Sequence, residues 1–224
     1  MSLRNLQDKL STNLGLIKNK IEIENNSNNQ SLNVIVESSF LEILNIIYGY
    51  ELENPNGLKS NFEGIDGVDS NNKIMVQISS TNSFSKIEKS VSTIVSNKLY
   101  NDYNKLFFVL LKDKKNLQKQ SLLKIESIID GKFHFDIKDC FLDLNDIYRL
   151  LVNNNDIDKI IKANEILERI LFDIKNLPDK NANYLGLSFD KEELDNVIHL
   201  VEIIIRQGIN IVTISNELYH FFEK

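Results

Sequence analysis

The stretch Gly64-Ile-Asp-Gly-Val-Asp-Ser-Asn-Asn-Lys-Ile-Met-Val-Gln-Ile-Ser79 decides the fold. Its second half alternates. Ile74, Val76 and Ile78 fall on one side, while Met75, Gln77 and Ser79 fall on the other, which is the period of a β-strand. Asp69-Ser-Asn-Asn is built from turn formers, since Asx side chains bond their own backbone two residues on. Ile65 and Asp66 close the preceding strand in this reading, so residues 67–72 join two strands as a hairpin.

Downstream the period changes to that of a helix from about Ser83 to Asn97, with Ile87, Val91, Ile94 and Val95 as the buried stripe. Leu106–Leu111 is a continuous apolar run, as expected of a strand covered on both faces. A helix over 117–129 follows, then a strand in which Phe133, Phe135 and Ile137 alternate with an outward His134, then a short helix from Asn145 to Val152. Upstream, Leu6, Leu10, Leu14, Ile17 and Ile21 mark an amphipathic helix over 4–22. A second helix runs from Ser31 to Tyr48 and stops at Gly49. Residues 51–63 read as an irregular connection or a short strand with turns.

The order α–β–β–α–β–α–β–α predicts a mixed α/β layer architecture. Its expected domain is 5–152. Residues 153–224 form a helical extension: a long helix over 156–175, a break at Pro178 and the Asn-rich 181–183, and two helices over 190–206 and 213–223. Their apolar stripes have three destinations: the core, a second copy, or a C-terminal effector. Self-association as a homodimer is the preferred one. A helix–turn–helix reader in 190–223 is disfavoured, because its second helix is almost without basic residues.

The 42% hydrophobic and 26% charged residues among 224 exclude a collagen-like or wholly disordered chain. Cys140 is the single cysteine, so no internal disulfide forms and a reducing, cytoplasmic setting is expected. No apolar run of about 18 residues is present to span a membrane. The net charge of −6 argues against a surface that grips nucleic acid all over. Between Lys86 and Lys132, however, ten lysines face five acids, so the middle of the chain is locally basic. The cluster Lys112–Lys119 reads first as a solvated surface, with phosphate contact as the functional alternative. His134, His199, His220 and Cys140 lack ligand spacing, which argues against zinc.

The chemistry centres on the hairpin. An acid, Asp66, stands opposite Gln77 and Ser79, which share one face. Glu37 joins Phe40 and Leu44 on the core-facing stripe of its helix, whereas Glu42 lies on the flank. A carboxylate on an apolar stripe is costly unless it is paired or holds a metal. Oxygen ligands of this kind suit a hard cation in phosphodiester hydrolysis. Asp69 reads as a turn cap.

The helix with Glu37, then Gly64-Ile65-Asp66, then Gln77-Ile78-Ser79 resembles the PD-(D/E)xK restriction-endonuclease-like superfamily. The run Glu37…Phe40…Leu44-Asn45…Tyr48-Gly49-Tyr50, Asn61-Phe62…Gly64-Ile65-Asp66 and Val76-Gln77-Ile78-Ser79-Ser80-Thr81 is similar to the bacterial SMEK-domain family. That family is found at the N-termini of proteins in anti-phage defence loci and is regarded as nuclease-like. The resemblance covers roughly residues 5–150. It implies a restriction-endonuclease-like mixed sheet flanked by helices and a nuclease that cleaves DNA with Mg²⁺ or Mn²⁺. Asp66, Glu37 and Gln77 would hold the metal, Gln77 through its amide oxygen. The motif lysine would stand at position 79, where this chain has Ser79. Lys86, or else Lys89, on the following helix is the expected substitute, activating water. Two other readings stay open: a catalytically inactive nuclease-like domain that binds nucleic acid or a partner protein, and a structural oligomerisation domain.

Overall fold

The structure is a computed structural model that describes residues 2–26, 31–55, 64–81, 83–114, 118–153 and 155–175. The helices expected over 190–206 and 213–223, the break around Pro178, His199 and His220 lie outside the described residues. Six helices and four strands follow one another among the described residues. They are α1 (Leu3–Asn26), α2 (Ser31–Tyr48), β1 (Gly67–Asp69), β2 (Ile74–Ser79), α3 (Phe84–Ser96), β3 (Lys105–Leu110), α4 (Lys119–Ile129), β4 (Phe141–Asp143), α5 (Leu144–Asn153) and α6 (Ile157–Lys175).

The strands form one open sheet in the order β1-β2-β3-β4. β1 pairs antiparallel with β2, while β2–β3 and β3–β4 are parallel. Each parallel step is made through a helix, α3 then α4. The alternation in β2 sorts the two faces. Ile74, Val76 and Ile78 join α1, α2, α5 and α6 in one core, and Met75 joins α3 and α4 in the other. All six residues of β2 are buried, so both faces are covered. This mixed α/β sandwich is the class expected from the sequence.

Two strand assignments change. The hairpin's first strand starts at Gly67 rather than ending at Asp66, and Gly67 pairs with Val76. The turn is therefore 70–73, because the Asp69 carboxylate folds it from inside the strand. That carboxylate accepts from Asn72 N at 2.9 Å, Asn72 Nδ2 at 2.8 Å and Glu51 N at 2.8 Å. The strand expected over Phe133–Ile137 reduces to one bridge, Lys105 to His134. Asp136 ends it: its side chain accepts from Lys138 N at 2.6 Å and its carbonyl from Cys140 N at 2.7 Å. The chain loops out and rejoins β3 as β4, which the sequence reading missed. The alternating aromatics reflect core packing instead, with Phe133 buried and Phe135 set between the two cores.

Local chemistry sets several helix ends. Gly49 takes φ +72°, and its N–H returns to Asn45 O at 2.8 Å to close α2. Ser83 caps α3 through Lys86 N. Asp143 and Asp146 cap each other's backbone N–H at the start of α5, at 2.9 and 3.0 Å.

The described residues fall in one compact unit spanning Met1–Leu177. The expected boundary at 152/153 falls in the last turn of α5. Ile160, Ala163, Leu167 and Ile170 of α6 are fully buried in the core with α1 and α2. Of the three destinations for its apolar stripe, α6 takes the core. A buried amide pair fixes the seam. Asn13 Nδ2 donates to Asn164 Oδ1 at 3.2 Å, and Asn164 Nδ2 donates to the Leu6 and Ile160 carbonyls. Lys159 Nζ also caps the C-terminal end of α2 by donating to Ile47 O at 3.0 Å.

Gly67 brings β1 against α2. A Cβ there would overlap Leu41 Cδ2, and Leu41 is itself buried. Gly67→Ala is expected to destabilise the protein by about 1–3 kcal/mol in urea denaturation, and by much less in a Leu41→Ala background. An equal loss in both backgrounds would show that the overlap is not the cause.

Candidate functional site

The site forms where β1 runs out. Asp66 N still bonds Val76 O at 2.9 Å, the last rung of the ladder. Beyond it, the N–H of Ile78 has no strand partner on that side, and Asp66 Oδ2 takes it at 2.6 Å. Gln77 Nε2 donates to the same oxygen. Oδ1 of Asp66 has no hydrogen-bond partner among the described residues.

Gln77 is 3% exposed, yet it is fully used. Its Nε2 also donates to Ile78 O at 2.9 Å, and its Oε1 lies 3.5 Å from Ser90 Oγ of α3, whose single proton is shared with the Lys86 carbonyl at 3.1 Å. The two acceptors at Nε2 fix the amide, because a reversed group would set oxygen against a carboxylate and a carbonyl. Gln77 thus turns nitrogen, not oxygen, toward Asp66. In this rotamer it steadies Asp66 and offers no oxygen ligand. Ser90 escaped the sequence reading. Its signal was a small polar residue set inside the Ile87–Val91–Ile94 stripe, where it is buried.

Glu37 reaches the same place from α2. Its pKa is pushed up to about 7, first by burial and then by the nearby Asp66 charge, while Lys86 pulls the other way. Asp66 is raised to about 6 by burial, against the lowering pull of the Ile78 N–H and of Lys86. Glu37, Asp66, Gln77 and Lys86 are therefore brought together from α2, the β1 edge, β2 and α3. Lys86 is half-buried and makes no ion pair among the described residues, and its charge acts on both carboxyls. Lys89 is exposed, and its charge is not among those acting on either carboxyl.

The remaining candidates go elsewhere. Asp69 is taken up by its turn, and its hydrogen bonds to Asn72 and Glu51 overcome burial and lower its pKa. Ser79, at the position of the motif lysine, exchanges hydrogen bonds with the Thr81 backbone at 3.1 Å. From the basic cluster, Lys114 Nζ is occupied by Asp146 at 2.6 Å and Phe141 O at 3.2 Å. Cys140 is buried and free, its thiol pushed up by burial. His134 is exposed.

Among the described residues no group of three or more His, Cys, Asp or Glu is placed to share an ion. The donors on hand are two carboxylates. That set fits Mg²⁺ or Mn²⁺, which take one or two carboxylates and complete their shell with water and phosphate, and it does not fit zinc. Two carboxyls with raised pKa values, one of them raised in part by the charge of the other, are what a divalent cation would relieve.

The sequence model of the SMEK domain matches residues 9–152. No curated protein and no solved structure matches the chain.

Because the folded-state pKa of Glu37 is raised from 4.5 to about 7, the native state binds more protons than the unfolded chain between those values. Stability is then fully present below about pH 4.5, falls as the pH rises to about 7, and is level above. Glu37→Gln should raise the melting temperature by on the order of a few °C at pH 8, with the gain vanishing toward pH 4.5. A gain of constant size from pH 4.5 to 8 would refute the assignment.

Proposed function

We propose that this chain, which belongs to the SMEK domain family, is a divalent-metal-dependent nuclease that hydrolyses phosphodiester bonds of DNA. The observation that carries the reading is the convergence of two carboxylates, Glu37 and Asp66, beside the Lys86 ammonium, with both acids driven above their usual range. Membership of the PD-(D/E)xK superfamily belongs to the same proposal. The order of helix, hairpin acid, buried β2 and following helix supports it. The anti-phage setting, a homodimer and a C-terminal effector partner are further parts of it.

Asp66 Oδ1 and the Glu37 carboxylate would hold Mg²⁺ or Mn²⁺. When bound, the ion supplies charge neutralisation for the phosphate and lowers the pKa of a coordinated water. The chain does the rest. Gln77 and the Ile78 N–H fix one oxygen of Asp66, while the other has no hydrogen-bond partner among the described residues. Lys86 stands on the first turn of α3. It orients the attacking water and offsets negative charge as it accumulates on phosphorus.

A second reading has its own support. Position 79 carries no lysine, and Lys86 forms no ion pair with either acid. A nuclease-like domain that binds nucleic acid without cutting it would be built this way.

Plasmid DNA in Mg²⁺ or Mn²⁺ separates the two. On the nuclease reading the wild type nicks DNA and Asp66→Asn, which keeps an acceptor for Ile78 N–H, does not. Lys86→Ala should lose about 10²–10³-fold in rate. Cleavage unaffected by Lys86→Ala would remove the lysine from the mechanism. DNA retained by the wild type without cleavage in either metal would establish the binding module.

A further inference from the structure

A cavity of about 380 Å³ opens between the end of α2, the start of β3 and α5. The nuclease reading makes no use of it. Tyr48 lines it, eleven positions along α2 from Glu37, which is about 16 Å at the rise of a helix. Its floor is apolar, from Phe107, Leu142 and Leu150, and three cations line it: Lys105, Lys138 and Arg149.

The charges do not cancel. Lys138 has no ion pair among the described residues. Lys105 only lies over the Phe107 ring, 4.7 Å from its centroid. Of the two acids on the wall, Asp146 is already engaged by Lys114 at 2.6 Å, by Arg149 and by the Asp143 N–H at 3.0 Å. Lys114 brings a further positive charge from behind it. Asp139 is exposed and makes no ion pair among the described residues. The wall therefore keeps positive charge over an apolar, partly aromatic floor. Tyr48 stacks on Tyr50 with ring centroids 5.1 Å apart. Burial, Tyr50 and the nearby Cys140, Asp146 and Asp139 push its pKa to about 12, so its hydroxyl remains a donor at neutral pH.

We infer that this cavity binds a free nucleotide, with its phosphate among Lys105, Lys138 and Arg149 and its base against Tyr48 and Leu150. The volume lies in the range of small-ligand pockets. An apolar floor with a few convergent cations suits a ligand that is planar at one end and anionic at the other. Asn153 and Asp139, also on the wall, supply a donor and acceptors for ribose hydroxyls. The inference does not depend on the nuclease reading, since Glu37, Asp66 and Lys86 take no part.

Isothermal titration of the full chain with AMP, ADP and inorganic phosphate tests it. AMP or ADP should bind. Lys138→Ala and Arg149→Ala should each weaken binding about 10–100-fold, as expected for a lost charged hydrogen bond, and Tyr48→Phe more mildly. Both cations lie on the surface, and Asp146 keeps Lys114 when Arg149 is removed, so the variants should melt like the wild type. Lys89→Ala, away from the cavity, should bind as the wild type does. Three results would overturn the inference: no heat with either nucleotide at 1 mM, binding undiminished in both Lys138→Ala and Arg149→Ala, or phosphate binding as tightly as the nucleotides.

Discussion

Burial of β2 on both faces is the constraint on which the rest depends. A strand with six buried residues needs a helical layer on each side and a strand at each edge. The chain supplies α1, α2, α5 and α6 on one side and α3 and α4 on the other. The same burial leaves Gln77 no water to bond, so its amide has to be satisfied by neighbours. Asp66, the Ile78 carbonyl and Ser90 satisfy it. The geometry of the candidate site is thus a by-product of closing the core around one polar residue.

Asp66 and Asp69 sit three residues apart on the same edge and are driven in opposite directions. Asp69 is desolvated but is surrounded by donors from Asn72, Glu51 and Asn71, and its hydrogen bonds prevail. Asp66 accepts one backbone N–H and feels Lys86 at longer range; here burial prevails. One carboxylate is therefore spent on structure and the other is held in reserve. That contrast separates a turn residue from a candidate ligand better than either residue's place in the sequence does.

Much of this was legible beforehand because periodicity reports burial directly. The alternation of β2, the stripe of α3 and the apolar run of β3 each follow from which faces are covered. Glu37, Asp66 and Gln77 were singled out by helix or strand phase, and Lys86 by the family resemblance. Three features were not legible. β4 is only three residues long, too short for a pattern, and the alternating Phe133 and Phe135 imitated a strand because both sides of the sheet are apolar. The orientation of the Gln77 amide depends on Asp66 and on the Ile78 carbonyl, which spacing cannot reveal. The destination of α6 depended on a complementary surface formed by α1 and α2, which no local window contains.

The Asn13–Asn164 pair joins residues 151 positions apart. At ribosomal rates of about 5–20 residues per second, roughly 8–30 s pass between the synthesis of one partner and the other. Through that interval part of the apolar face of α1 has no cover and the Asn13 amide has no mate. The molecule therefore completes its fold only after α6 has cleared the ribosome exit tunnel.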